Sequence, residues 1–358
     1  MRRLRRIDWR LLRLARRLPG PCRRWLCLGL AFAWFGVELI LARMVTPART
    51  LRCFQILWMF IQAQRHAELQ LGPLLAGPPR RRAKLVRYAR NCMVLVALQP
   101  ELADVLIRAE ADWLPAAAVY GACIPLFDGC LDRLPTRQAR RFGQAVDQRL
   151  RSIASLDHGD VRLLKPLLQQ YGAPQDDCRS WQALIDALAC WLSRQSSQHR
   201  QLVLDWMIRM NEAQLASLGE RDVTISLHQR RHLSSLKGGV SFLLLRALCL
   251  PDQASAVGGS LAARAALLHA AAVAQWIDDY ADVREDVEHG IYTYIARLDA
   301  LRSADATIRE GLKAAAVALR AQFGHAAERF IDSLDLYYGF KRSARLWAYL
   351  ERNLEAGR

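Results

Sequence analysis

The sequence predicts an all-α protein that folds as one large helical bundle. Of its 358 residues, 52% are hydrophobic, which is enough to bury a substantial core. Glycine and proline number only 20 and 13, and long stretches rich in Ala, Leu and Arg carry apolar residues at helical spacing. We find no run of alternating β-branched residues of the kind that is typical of strands.

Proline and Gly-Pro signals divide the chain after residue 45 into about ten apolar-periodic segments. We predict helices at residues 50–70, 82–98, 101–130, 137–156, 160–171, 180–193, 198–217, 225–249, 261–289 and 305–349. Segments of this number and length suit a single bundle better than separate domains. We therefore expect residues 46–358 to form one helical domain.

Residues 1–45 differ from the rest of the chain. The first 24 residues contain ten arginines against one acid, Asp8, and residues 25–42 are apolar except for Glu38. Arginine that alternates with Leu and Trp at helical spacing over residues 4–18 is typical of an interfacial helix. We predict peripheral attachment to a membrane surface. A membrane span, an uncleaved signal-like segment and a core helix are the alternatives.

The net charge of +17 also raises the possibility of nucleic-acid binding. Much of the excess lies in the N-terminal tail, however, and no zinc-finger spacing, RNA-binding aromatic motif or basic zipper accompanies it. The nine cysteines form no CxxC pair, which favours a reducing compartment. We therefore expect no nucleic-acid partner and a cytoplasmic location, peripheral to the inner membrane face where the tail binds lipid. The oligomeric state stays open.

The most informative segment is residues 275–294, with the sequence QWIDDYADVREDVEHGIYTY. Its acids follow a long apolar helix, and their spacing places two sets on single helix faces. The sets are Asp278, Asp282 and Glu285, and Asp279, Asp282 and Asp286. Since like charges at this spacing repel, we predict that a cation offsets them, and Mg²⁺ prefers such oxygen ligands. The alternative is a solvated helix end whose acids pair with Arg284 or Arg297.

A second acidic pair, Asp128 and Asp132, lies one helical turn apart in the apolar stretch PLFDGCLDR. Two acidic clusters on long apolar helices can face each other across a bundle and form a trinuclear magnesium site for a diphosphate leaving group. Between the clusters, Lys237 precedes Gly238 and Gly239 inside an apolar helix. A lysine in that position binds an anion such as diphosphate or extends to the surface.

These residues resemble motifs of the isoprenoid synthase type I superfamily. The stretch from His232 through Lys237 to WIDDYADVRED is similar to the Lys helix and second Asp-rich helix of trans-prenyl diphosphate synthases. The run from Asp282 to Tyr292 resembles the second motif of squalene and phytoene synthases. The pairing of FDGCLDR with DDYADVRED most resembles the bacterial large-terpene synthases, the tetraprenyl-β-curcumene synthase family.

The resemblance implies a Mg²⁺-dependent enzyme that begins by ionising an allylic prenyl diphosphate. It assigns catalysis to Asp128, Asp132, Asp278 and Asp282, and Mg²⁺ to these four with Asp279, Glu285 and Asp286. Lys237 and Arg133 are expected to bind the diphosphate. Phe127, Trp276 and Tyr280 are expected to line the substrate pocket through cation–π attraction, with ordinary core packing as the alternative for each.

The leading functional prediction is a terpene synthase, a lyase that cyclises or quenches the carbocation and releases diphosphate. One alternative is a prenyltransferase of the same fold, either head-to-head like squalene synthase or chain-elongating. An alternative of another class is a membrane-associated helical protein without catalysis, whose acids merely pair with arginines.

Overall fold

The computed structural model describes residues 46–99, 114–155, 160–249, 260–298 and 301–355. Every regular element in these ranges is helical. The predicted all-α class is therefore confirmed. Ten long helices are numbered here in chain order: α1 Pro47–Leu71, α2 Pro79–Ala97, α3 Leu114–Arg133, α4 Thr136–Ala154, α5 Gln175–Leu192, α6 Ser197–Ser217, α7 Leu227–Cys249, α8 Leu261–Glu288, α9 Leu301–Phe323 and α10 Glu328–Glu355.

Helices α3, α7 and α8 lie at the centre of the bundle. Helix α8 packs against α7, α9 and α10, and α7 also contacts α6 and α3. Helices α1 and α2 form an antiparallel pair that packs on α3 and α10. One continuous apolar core joins these elements, and its fully buried side chains include Phe142, Phe242 and Phe330.

Helix α3 is apolar on nearly all sides because it is a core helix. Among the described helices, α3 alone is long and apolar enough to span a membrane, and 67% of its apolar window is buried inside the bundle. Gly121 allows its close approach to α2, since a Cβ at this position would lie 2.7 Å from Ala89 Cα. The predicted membrane-associated segment, residues 1–45, lies outside the described residues.

Two predicted helices are wrong in extent. Residues 305–349 form parts of two helices instead of one. The 3₁₀ turn Gly324–Ala327 separates α9 from α10, and Gly324 has a φ of 54°. Residues 160–171 contain a 3₁₀ turn, Val161–Leu164, and a single α-turn, Leu167–Gln170. Pro166, which lacks an N–H donor, lies between them and interrupts a continuous helix.

Helix α3 extends to Arg133, three residues beyond its predicted end at residue 130.

Helix α8 brings the acidic segment to one end of the bundle. Ser260 caps the start of the helix, because its Oγ accepts a hydrogen bond from the Ala263 N–H at 3.2 Å. It ends where Gly290 takes a φ of 73° and the Ile291 N–H donates to the Asp286 carbonyl at 2.8 Å. The apolar part of the helix is buried between these ends, and the acids occupy its last three turns.

Candidate active site

Asp279 joins α8 to α7. Its carboxylate accepts hydrogen bonds from Ser234 Oγ at 2.6 Å and from Gln275 Nε2 at 2.8 Å, one at each oxygen. Its side chain is buried, and this burial raises the pKa of Asp279 to about 6. Because protein donors engage both oxygens, the geometry favours a role in helix packing for this predicted metal ligand.

Asp278 faces α10 instead. Its Oδ1 accepts hydrogen bonds from the Tyr337 hydroxyl at 2.8 Å and from Lys341 Nζ at 2.5 Å. Burial alone favours the neutral acid, but the Lys341 charge and these hydrogen bonds hold the pKa of Asp278 below its ordinary value. Asp278 is therefore ionised at neutral pH.

Asp282 and Asp286 continue the acidic face towards the end of α8. Burial, followed by the charges of Asp279 and Asp282, raises the pKa of Asp286 to about 8. Burial and the Asp278 charge also raise the pKa of Asp282. Within the described ranges neither carboxylate is part of an ion pair, which agrees with these raised pKa values. Glu285 lies on the exposed side of the helix.

The first acidic pair lies on α3. Asp128 Oδ1 accepts a hydrogen bond from Gln214 Nε2 of α6 at 3.0 Å, and its Oδ2 lies 3.7 Å from Lys237 Nζ of α7. Asp132, one turn later, is more exposed and lies 3.7 Å from the Arg221 guanidinium. Burial and the Asp128 charge raise the pKa of Asp132.

Lys237 lies between the two acidic clusters. Burial by itself lowers its pKa, but the charges of Asp128, Asp132, Glu220 and Asp279 outweigh burial and raise the pKa of Lys237 above its ordinary value. The ammonium group is thus permanently charged and surrounded by acids from α3 and α8. The charges of residues from both predicted clusters therefore act on this one ammonium group.

Tyr88 of α2 is a member of this site that the sequence prediction missed. Burial raises the pKa of its hydroxyl, and the charges of Asp278, Asp128 and Asp282 raise it further. The phenol therefore stays protonated and can donate a hydrogen bond. Because the charges of both clusters act on this hydroxyl, α2 lies close to the same site.

Five further side chains at the site were also missed: Gln214, Glu220, Ser234, Tyr337 and Lys341. They belong to other helices and to the 3₁₀ turn Leu218–Arg221, and no spacing pattern connects them to the acids in sequence. The local cues were weak, because single polar residues at helical positions usually face solvent.

Arg133 is engaged away from the two clusters. Its guanidinium lies 3.3 Å from the buried carboxylate of Asp177, to which Arg81 also donates two hydrogen bonds, at 2.9 and 2.8 Å. This cluster ties the end of α3 to the starts of α2 and α5. Arg133 is thus paired with Asp177 in this structure, and diphosphate binding by Arg133 stays a prediction.

The three predicted pocket aromatics all pack against other rings. Trp276 is only 2% exposed and contacts Tyr294, with ring centroids 5.4 Å apart. Tyr280 is likewise buried and packs edge-on against Tyr338. Phe127 is half-buried and its ring centroid lies 5.2 Å from that of Phe142. Of the three, Phe127 is the most accessible from the Asp128 side.

The donor set fits Mg²⁺ that is shared with a substrate. Asp128, Asp132, Asp282 and Asp286 supply hard oxygen ligands, and Asp286 becomes charged when a cation displaces its proton. Among the described residues, no three His, Cys, Asp or Glu side chains come close enough together to hold a metal ion by themselves. Mg²⁺ commonly takes only one or two protein carboxylates and completes its coordination with water and phosphate oxygens, so this spacing is compatible with it.

No protein-family model and no curated protein sequence matches the chain. Among solved structures, a geranyltransferase from Legionella pneumophila is similar at a TM-score of 0.49 and 17% identity, over 82% of this chain and 99% of the other. An apo FPP/GFPP synthase from Zymomonas mobilis gives a TM-score of 0.47 and 17% identity, over 80% and 99% of the respective chains. Because both TM-scores lie below 0.5, we base the function on this chain's own side chains.

Proposed function

We propose that this protein is a Mg²⁺-dependent enzyme that ionises an allylic prenyl diphosphate, as class I isoprenoid synthases do. The observation that carries the proposal is the convergence of two acidic helix faces on Lys237. A solvated acidic helix end would have its carboxylates in water, whereas Asp282 and Asp286 are partly buried, and the charges of Lys237 and of Asp132 on α3 act on Asp286.

The residues that would hold Mg²⁺ are Asp128 and Asp132 on one side and Asp282 and Asp286 on the other. When bound, the metal draws electron density onto the departing diphosphate as a Lewis acid. Lys237 contributes a permanent positive charge to the leaving oxygens, and the protonated phenol of Tyr88 can donate a hydrogen bond to them. These groups are already oriented by the helices, so little reorganisation accompanies ionisation.

The bundle behind the clusters keeps water from the carbocation. The α3 residues that precede Asp128 are apolar, and Leu126 and Ala122 are fully buried. A carbocation in such surroundings has time to rearrange before it loses a proton or is captured by water. The released diphosphate can accept that proton, so the mechanism requires no dedicated His or Glu base.

The leading product route is a terpene synthase that acts on one prenyl diphosphate. The alternative is a prenyltransferase, which shares the ionisation step but joins two prenyl units. The two solved structures named above, a geranyltransferase and an FPP/GFPP synthase, carry the names of prenyltransferases. The acidic clusters serve the common step, and the number of substrates separates the two routes.

Product analysis with Mg²⁺ and single prenyl diphosphates of increasing chain length tests the proposal. A hydrocarbon or alcohol from one substrate, with release of diphosphate, supports the terpene synthase. A longer diphosphate that forms only with a second prenyl substrate supports the prenyltransferase. If no allylic diphosphate is consumed under any of these conditions, the proposed function is wrong.

The matched variants are Asp282→Asn and Glu288→Gln on the same helix. Glu288 is exposed, and its ion-pair partner among the described residues is Arg284, at 2.5 Å. We expect Asp282→Asn to lower kcat about 10³-fold or more, a loss comparable to that of one strong electrostatic stabiliser of a transition state. Glu288→Gln should retain full turnover, and both should keep the helical circular dichroism of the parent. Full activity in Asp282→Asn would remove this residue from the site.

A further inference from the structure

Helix α1 carries a row of exposed apolar side chains that we call the α1 ridge: Leu51, Phe54, Leu57, Trp58 and Ile61. Each is between 44% and 64% exposed. The opposite side of the helix is also apolar and packs into the core through Ile56, Met59 and Ala63. A surface helix normally has a polar outer face, so the ridge indicates that α1 has another partner.

A second copy of the chain does not suit the ridge. Five partly exposed side chains of this size present on the order of 500 Å² of surface. A stable protein interface buries about 800 Å² from each partner. The ridge falls well short of that area, and beyond Ile61 the same face carries the charged Arg65 and Glu68 before the exposed Leu69.

An anionic lipid surface is also a poor match, because the cations beside the ridge are already neutralised. Arg49 lies 2.9 Å from Asp332 and 2.6 Å from Asp335 on α10. Arg52 lies 2.8 Å from Asp332 and 3.6 Å from Glu328. Arg320 of α9 also lies 2.6 Å from Glu328, so three acids offset three arginines in this cluster and leave it without the excess positive charge that attracts anionic headgroups.

We propose that residues 25–42 of the same chain cover the α1 ridge as an antiparallel helix. This apolar segment lies outside the described residues, and four residues separate its end at residue 42 from Pro47. Antiparallel helices are commonly joined by loops of about two to five residues. Helix α1 also begins sharply, because Thr46 is extended, with a ψ of 148°, and caps the Arg49 N–H at 3.3 Å. The backbone therefore changes direction at the position where a hairpin needs its turn.

The lengths of the two elements agree. Eighteen helical residues span about 27 Å, and the ridge from Leu51 to Ile61 spans about 15 Å. A fold-back through residues 43–46 places residues 28–37 opposite the ridge, and their sequence is LGLAFAWFGV. Both apolar surfaces become buried in one contact, and the arginine-rich residues 1–24 stay outside it.

Photo-crosslinking of the full chain tests the proposal. The probe is p-benzoylphenylalanine in place of Trp58, irradiated in the presence of vesicles that contain zwitterionic and anionic lipid. We expect an intramolecular adduct whose crosslinked peptide maps to residues 25–42 by mass spectrometry. The same probe at Val317, which is 68% exposed on α9, is the matched control and should give no such adduct. An adduct with lipid or with a second copy, or no adduct to residues 25–42, overturns the proposal.

Thermal unfolding gives an independent readout. In the full chain, the double substitution Phe54→Asp with Trp58→Asp should lower Tm by about 5 °C or more, because it places charges in a buried contact. Val317→Asp should leave Tm within about 1 °C of the parent. Equal Tm values for the two variants would show that the ridge is open to water. If the double variant does not fold, the crosslinking result alone decides.

Discussion

The carboxylates of the site behave differently because each has different neighbours. Asp278 meets Lys341 and Tyr337, and its pKa is lowered. Asp286, two turns further along α8, is in no ion pair among the described residues, and its pKa is raised to about 8. Without a bound cation, one acid is therefore charged at neutral pH while the other is largely protonated. A cation that enters beside Asp286 must release its proton, so metal binding should become tighter as pH rises.

The raised pKa of Asp286 predicts a pH-dependent stability. Between about pH 4 and 8 the native protein keeps a proton that the unfolded chain releases, so stability falls as pH rises through this window. In Mg²⁺-free buffer we expect Asp286→Asn to match the parent Tm near pH 4 and to exceed it near pH 8. Glu220, whose pKa burial also raises to about 8, keeps part of the slope in the variant. Parallel Tm curves for variant and parent would contradict this assignment.

Lys341 should set the acid limb of the activity profile through Asp278. The 2.5 Å ion pair with Lys341 lowers the pKa of Asp278. Asp278 therefore loses its negative charge, and the ion pair its stabilising effect, only as pH falls through that lowered pKa. We expect Lys341→Met to move the acid limb of kcat/KM to higher pH, and Lys341→Arg to restore it. A general loss of rate with an unshifted profile would instead indicate a purely structural lysine.

At the level of helices, the sequence predicts which residues form one helix, but it does not predict which helices contact each other. The acids of residues 278–286 lie on one helix as predicted, but Asp278 contacts α10, Asp279 contacts α7 and Glu285 is exposed. No such pattern could indicate that Tyr337 and Lys341 of α10 contact Asp278, because 59 and 63 residues separate them in sequence. The break at Gly324 was missed for a similar reason, since a lone glycine inside an apolar-periodic run is usually tolerated in a helix.

The two glycines after Lys237 should respond differently to alanine. A Cβ at Gly238 would lie 2.8 Å from the backbone oxygen of Ala271, whereas at Gly239 it would meet only the tip of the Leu268 side chain, at 3.1 Å. We expect Gly238→Ala to separate α7 from α8, with a loss of about 1–3 kcal/mol in unfolding free energy. Gly239→Ala should be close to neutral, since its gain in helix propensity of about 1 kcal/mol offsets a small shift of Leu268. Denaturant unfolding of both variants measures the difference, and equal losses would contradict the close α7–α8 approach.

Across the whole molecule, the sequence predicts the fold class correctly, because apolar periodicity indicates an all-α bundle. The metal chemistry of the two acidic clusters stays a prediction. The roles expected for Arg133 and Trp276 depended on nearness in sequence to the acids, and the structure instead engages them with Asp177 and Tyr294. Nearness along a helix does not specify which side of it a residue occupies, and packing with other helices decides that.

The uneven charge of the chain predicts how it meets a membrane. Residues 1–24 hold ten of the 51 Lys and Arg residues and a single acid. Each basic residue near an anionic surface contributes about 1 kcal/mol, and salt screens this attraction. We therefore expect deletion of residues 1–24 to abolish salt-sensitive co-sedimentation with anionic vesicles while turnover of a soluble prenyl diphosphate is kept. Binding to neutral vesicles should be weak for both forms. If the shortened protein still binds anionic vesicles as tightly, the attachment lies elsewhere in the chain.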